Sequence, residues 1–162
     1  MRAVLASAVV AFLAATASCQ EVAVKGAAPA VANDTQPFTG VWVPQSSVVN
    51  GKEQLPDKAS RDMIRLSIEH GEYKLYYLTD PVKLEGRRLA VADFTIDEKA
   101  GTFELKFKEG IKKDTKIHGI YELGKTTLKL CYCPSDKPRP TKFEAPAGSD
   151  AFCDLYELNK KK

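Results

Sequence analysis

The chain has 162 residues, is 44% hydrophobic, carries four cysteines, and sets 24 Lys and Arg against 21 Asp and Glu for a formal net charge of +3. That length suits one domain with a tail. Residues 1–17 hold 14 of the hydrophobic side chains, yet the remainder is still long enough to bury roughly two-thirds of its unfolded surface; a wholly disordered chain, a multi-pass membrane protein and a small scaffold held by disulfides alone are excluded.

The chain opens on Met1-Arg2 and an apolar run over residues 3–15, shorter than the ~20 residues needed to span a bilayer. Ala15-Thr16-Ala17 has the small-x-small pattern of signal-peptide cleavage. Residues 1–18 are therefore expected to be a signal peptide. The exported protein would reside in the cell envelope, periplasmic or membrane-anchored, or be secreted. Small residues precede Cys19, as at a bacterial lipoprotein site, although Thr16 stands where leucine is usual. Acylation of Cys19, giving a membrane anchor, and ordinary cleavage both remain open. Residues 19–37 are rich in Ala, Val, Gly and Pro without useful periodicity and read as a flexible tether.

From Phe38 onward the chain reads as strands divided by turn signals. Residues 39–49 form the first, with Trp42 on it and a break at Pro44; Asn50-Gly51 is a turn, and residues 55–60 make a short helical turn with Pro56 early in it. Residues 63–69 put Ile64, Leu66 and Ile68 on one face, and residues 72–78 do the same with Tyr73, Leu75 and Tyr77, ending at Thr79-Asp80-Pro81. Residues 88–96 alternate less cleanly, while 102–108 set Phe103, Leu105 and Phe107 against charged neighbours. Strands at 115–123 and 126–133 follow, the latter carrying Leu128, Leu130 and Tyr132; a long loop over 134–150 leads to a strand at 151–158 and a basic tail, 159–162.

Eight period-2 strands with short links predict an all-β fold, an eight-stranded antiparallel up-and-down barrel over residues 38–158, with an open sandwich as the alternative. An eight-stranded barrel has an interior just wide enough for packed side chains or one small ligand. Trp42, with the inward residues named above on the strands at 63–69, 72–78, 102–108 and 126–133, makes up the candidate ligand-lining set, with core packing as the plainer role for Trp42.

The motif Phe38-Thr39-Gly40-Val41-Trp42 resembles the Gly-x-Trp opening of lipocalins, where the tryptophan closes one end of the barrel. With Asn50-Gly51-Lys52-Glu53-Gln54-Leu55-Pro56, Gly119-Ile120-Tyr121-Glu122-Leu123, Leu128-Lys129-Leu130-Cys131-Tyr132 and Arg139-Pro140-Thr141-Lys142-Phe143, it resembles a lipocalin-like conserved-domain family of exported proteins abundant in planctomycetes. The resemblance spans residues 38–158 and implies a lipocalin-like barrel without an assigned activity. Two lipocalin features have no counterpart here: no helical pattern follows the last strand, and no arginine follows it.

Cys131 and Cys133 share one face of a strand, which disfavours a bond between them. Cys153, on the last strand, could meet either, and buried free thiols are the alternative. The family pattern has its own cysteine at the Cys131 position, which favours a Cys133–Cys153 disulfide. A metal site is not expected, because Cys-x-Cys lacks the usual zinc spacing and no histidine is near. His70 and His118 stand apart from any nucleophile motif, and no phosphate loop or Gly-x-Ser-x-Gly occurs. No catalytic residues and no cofactor are therefore expected. Acidic residues interrupt the lysines between 106 and 116, so nucleic acid is not an expected partner. The expectation is a non-enzymatic exported barrel for a small hydrophobic ligand, with a filled barrel serving as a structural or protein-interaction module of the envelope as the alternative.

Overall fold

A strand that alternates apolar and polar side chains buries one face only, and an antiparallel sheet of such strands loses its exposed edges by closing on itself. A computed structural model of the chain describes residues 35–81, 85–110 and 112–159. The expected signal peptide, Cys19, most of the expected tether and the terminal lysines lie outside these described residues.

The elements are β1 (Gly40–Val49), β2 (Lys52–Glu53), α1 (Lys58–Asp62), β3 (Ile64–Glu69), β4 (Glu72–Asp80), β5 (Glu85–Asp97), β6 (Thr102–Gly110), β7 (Lys116–Leu123), β8 (Thr127–Pro134) and β9 (Phe152–Leu158). Sequence neighbours pair antiparallel from β3 to β9, and β1 pairs with both β3 and β9, which closes the sheet. β2 is a two-residue arm on the end of β1. The wall itself is a closed eight-stranded antiparallel β-barrel of lipocalin-like form.

All eight predicted strands form, and three of them run on by two residues or more. β5 starts at Glu85 rather than 88, β4 runs on through Thr79-Asp80, and β6 continues to Gly110. The helical turn expected over 55–60 forms slightly later, because Asp57 caps it by accepting from the Ser60 N–H at 2.8 Å.

Thr35, Gln36 and Pro37, assigned from sequence to the tether, belong to the folded domain. Gln36–Phe38 is a single 3-10 turn, and Thr35 is buried. The cause is Phe38, whose ring meets those of Phe94 and Tyr121 edge-on at 5.3 and 5.0 Å and plugs this end of the barrel. Trp42 Nε1 donates to the Phe38 carbonyl at 2.9 Å, so the tryptophan and the plug hold one another. Aromatic contacts continue inward from Phe94 to Phe103 and from Phe103 to Tyr132.

The opposite end is built differently. β1 pairs with β3 only from Gly40 to Trp42, while β3 continues back to Ile64. Pro44 has no N–H to offer a ladder, and the β1–β9 register also slips between Pro44 and Ser46. Beyond Trp42, β1 and β3 therefore part. The seam is filled by the segment after β2, where the Gln54 N–H bonds the Ser47 carbonyl and the Glu53 carboxylate accepts from the Ser47 and Leu55 N–H groups.

The disulfide corrects the expected pairing. Cys153 is bonded to Cys131, and Cys133 is free and buried. The β8–β9 register sets Cys131 directly opposite Cys153, with Cα atoms 4.2 Å apart. That ladder ends at Tyr132–Phe152, so Cys133 has no β9 residue across from it; its thiol donates to the Pro138 carbonyl at 3.2 Å.

Candidate functional site

The β8–β9 hairpin brings Leu128 opposite Tyr156, Leu130 opposite Asp154 and Tyr132 opposite Phe152. Leu128 and Leu130 belong to the core, so Phe152, Asp154 and Tyr156 are the inward side chains of β9. A carboxylate thus sits in the middle of an apolar inner face. Ser47 lies across from it on β1.

Asp154 is 7% exposed. The Tyr132 hydroxyl donates to its Oδ2 at 2.9 Å, and the Tyr156 hydroxyl donates to the same oxygen at 3.2 Å. The Tyr73 hydroxyl is close enough to that of Tyr156 for the two to influence one another, which brings β4 into the cluster. Asp154 Oδ1 is buried and receives no hydrogen bond. The Ser47 hydroxyl is near enough to favour the ionised carboxylate, but no bond of normal geometry ends on Oδ1.

Burial is the largest influence on this carboxyl and pushes its pKa above the ordinary 3.8; Ser47, Tyr132 and Tyr156 pull it down, and the charge of Glu53 pushes it further up. Burial, reinforced by the Asp154 charge, raises the pKa values of Tyr73, Tyr132 and Tyr156, so their hydroxyls remain donors at neutral pH.

Beside this cluster is a cavity of about 390 Å³. Asp154, Tyr73, Tyr132, Tyr156, Ser47 and Phe152 form its polar and aromatic side. Val49, Leu55, Ile64 and Leu75 form its aliphatic side, with Pro44 and Gln54 at the seam between β1 and β3. The Phe152 ring stacks parallel on Tyr132 at 5.3 Å, and the Lys112 ammonium lies 4.7 Å above the centre of the Phe152 ring.

The candidates read from sequence separate into three groups. Ile64, Tyr73, Leu75 and Tyr132 line the cavity. Trp42, Leu66, Ile68, Phe103, Leu105, Phe107, Leu128 and Leu130 are buried in the packed core and do not line it. Tyr77 is 41% exposed rather than enclosed, because it occupies the last β3–β4 rung, opposite Ile64, where it borders a groove with Leu55, Ala59 and Met63. Trp42 lies at the plugged end, two positions along β1 from Pro44, which does line the cavity.

Asp154, Tyr156, Ser47 and Phe152 were missed in the sequence reading. In Phe152-Cys153-Asp154-Leu155-Tyr156 both alternate sets contain apolar residues, so the pattern does not say which faces inward. An aspartate in phase with two aromatics was the available signal. His118 Nε2 is 2.9 Å from the Lys137 carbonyl and helps fasten the loop after β8; it is not part of the cluster.

No protein-family model matches the chain, and no curated protein matches it closely enough to supply a relative.

Proposed function

We propose that this protein is an exported, non-enzymatic β-barrel that binds a small hydrophobic ligand in the half of its interior away from Trp42. The observation that carries the reading is the cavity of about 390 Å³ at Asp154, Tyr132 and Ile64. A concave, largely apolar space with a few convergent polar groups is the usual form of a small-molecule site. Export rests on the signal-like residues 1–18, and either acylation of Cys19 or simple cleavage would follow. A Cys131–Cys153 disulfide suits the oxidising compartment that export implies. The lipocalin-like resemblance agrees with ligand binding by analogy of fold alone.

The alternative is a filled barrel acting as a structural or interaction module of the envelope. It is favoured by the plugged half, where Phe38, Phe94 and Phe103 leave the interior packed. Two measurements separate the readings. Native mass spectrometry of the protein from its own membrane fraction reports N-terminal processing, lipid on Cys19 and any bound small molecule. Titration with an environment-sensitive hydrophobic dye then compares the unmodified chain with Ile64→Trp, which fills the cavity. Dye binding that Ile64→Trp abolishes supports the binding barrel. Absence of both copurified ligand and dye binding overturns it in favour of the filled barrel.

A further inference from the structure

Resting on the binding reading above, we propose that the ligand carries an alkylammonium group, a protonated amine on a short apolar tail, and that the carboxylate of Asp154 receives it.

The argument begins with an imbalance. A carboxylate inside a barrel is costly unless hydrogen bonds or an opposite charge compensate it. Here the Tyr132 and Tyr156 hydroxyls converge on Oδ2, the Ser47 hydroxyl across the ladder favours the ionised form, and no bond of normal geometry ends on Oδ1. Among the described residues, no Lys, Arg or His nitrogen comes within 4.0 Å of Asp154. The ionised carboxylate therefore has no cation to pair with, and a cationic ligand in the cavity that Asp154 lines supplies that charge and favours the ionised form.

The surroundings select the same chemistry. Tyr73, Tyr132, Phe152 and Tyr156 bring four aromatic rings to the polar side of the cavity. The negative face of such a ring attracts a cation, and one primary ammonium, that of Lys112, already lies over Phe152. A carboxylate ligand would instead meet Asp154, with the charge of Glu53 acting in the same sense. On the far side, Ile64, Leu75 and Val49 offer an aliphatic surface for a tail, and a space of about 390 Å³ holds only a short one.

The test is calorimetric titration of the full chain at neutral pH with hexylamine, hexanol and hexanoate, which share one tail and differ in head group. Hexylamine is expected to bind at least about tenfold more tightly than hexanol, the scale of one charge-assisted hydrogen bond, and hexanoate most weakly. In Asp154→Asn, the affinity for hexylamine should fall to that for hexanol, while hexanol itself is unchanged. Hexanol or hexanoate binding as tightly as hexylamine overturns the amine assignment and leaves the binding reading intact. No binding by any of the three overturns the binding reading itself. The rank order in the unmodified chain decides the matter even where Asp154→Asn does not fold.

Discussion

The Tyr132 hydroxyl on β8 donates to Asp154 Oδ2 on β9 across 2.9 Å, and this bond joins the aromatic stack of the barrel interior to its one deeply buried carboxylate among the described residues. The pair sits where the plugged half of the barrel gives way to the cavity. Its energetic cost comes from burial, which removes water from a charge that the two tyrosine hydroxyls compensate on one oxygen only.

That cost has a definite pH dependence. The pKa of Asp154 is raised in the folded state above its ordinary 3.8, so between the unfolded and folded values the native chain holds the extra proton. Stability then falls as pH rises through that window and stays lower above it. The groups facing Asp154 are Ser47 and Glu53 from the β1–β2 arm, Tyr73 from β4, Tyr132 from β8 and Tyr156 from β9, with Lys112 at the Phe152 ring. Asp154→Asn should therefore melt at a higher temperature than the unmodified chain near neutral pH, and the difference should shrink on acidification toward about pH 4. Thermal melts across that range check this; a gap that grows with acidification contradicts it.

Gly119 positions the same tyrosine. It lies between Phe103 on β6 and Tyr132 on β8, and a Cβ there would stand 2.3 Å from the Cys131 carbonyl oxygen and 2.7 Å from the Phe103 ring. The backbone contact cannot yield as a flexible side chain can. Gly119→Ala should cost about 1–3 kcal/mol, as overpacking does, seen as a lower urea midpoint. It should also weaken hexylamine binding, because Tyr132 is displaced from Asp154.

The disulfide spans 22 residues of chain, for which loop-closure entropy predicts about 3 kcal/mol of stabilisation. Replacing Cys131 and Cys153 by serine in a Cys133→Ser background should lower unfolding stability by about that amount relative to Cys133→Ser alone. Fragmentation mass spectra of the unreduced protein should join Cys131 to Cys153, and Cys133 should alkylate only after unfolding. A Cys133–Cys153 linkage would mean that the β8–β9 register is wrong.

On the outer face, Lys74 and Lys108 both bridge to Glu72, at 2.7 and 2.9 Å, and Lys108 also reaches Asp93. Hydrogen bonds from Lys74 and then Lys108 hold the Glu72 carboxyl at about 2, below its ordinary 4.5. This depressed value stabilises the fold above 4.5, and the contribution is lost as pH falls from 4.5 through about 2. Glu72→Gln should be mildly destabilising at neutral pH, less so in high salt, and should match the unmodified chain below about pH 2. An effect that persists at that acidity would assign the loss to packing instead.

Much of the architecture was legible in the order of residues. Phe103, Leu105 and Phe107 against Glu104, Lys106 and Lys108 can bury only one face, so the strand and its inward side follow from local pattern. The same holds for Leu66 and Ile68 on β3 and for Leu128 and Leu130 on β8. The resemblance carried by Gly-x-Trp implies a tryptophan at one end of the barrel; in the structure Trp42 bonds to the Phe38 carbonyl.

Alternation thus determined the strands, their number and most of the core, because side-chain direction in a strand has period two wherever the strand ends up. The hollow half, the inward Asp154 and the Cys131–Cys153 bond were decided by tertiary structure. Each depends on register between segments distant in sequence: β1 against β9, β8 against β9, and β1 parting from β3 beyond Trp42. A one-residue change in register would exchange the faces of β9 and send Asp154 to solvent. Neither face of β9 is polar enough to exclude that alternative locally; closure of the barrel selects the register.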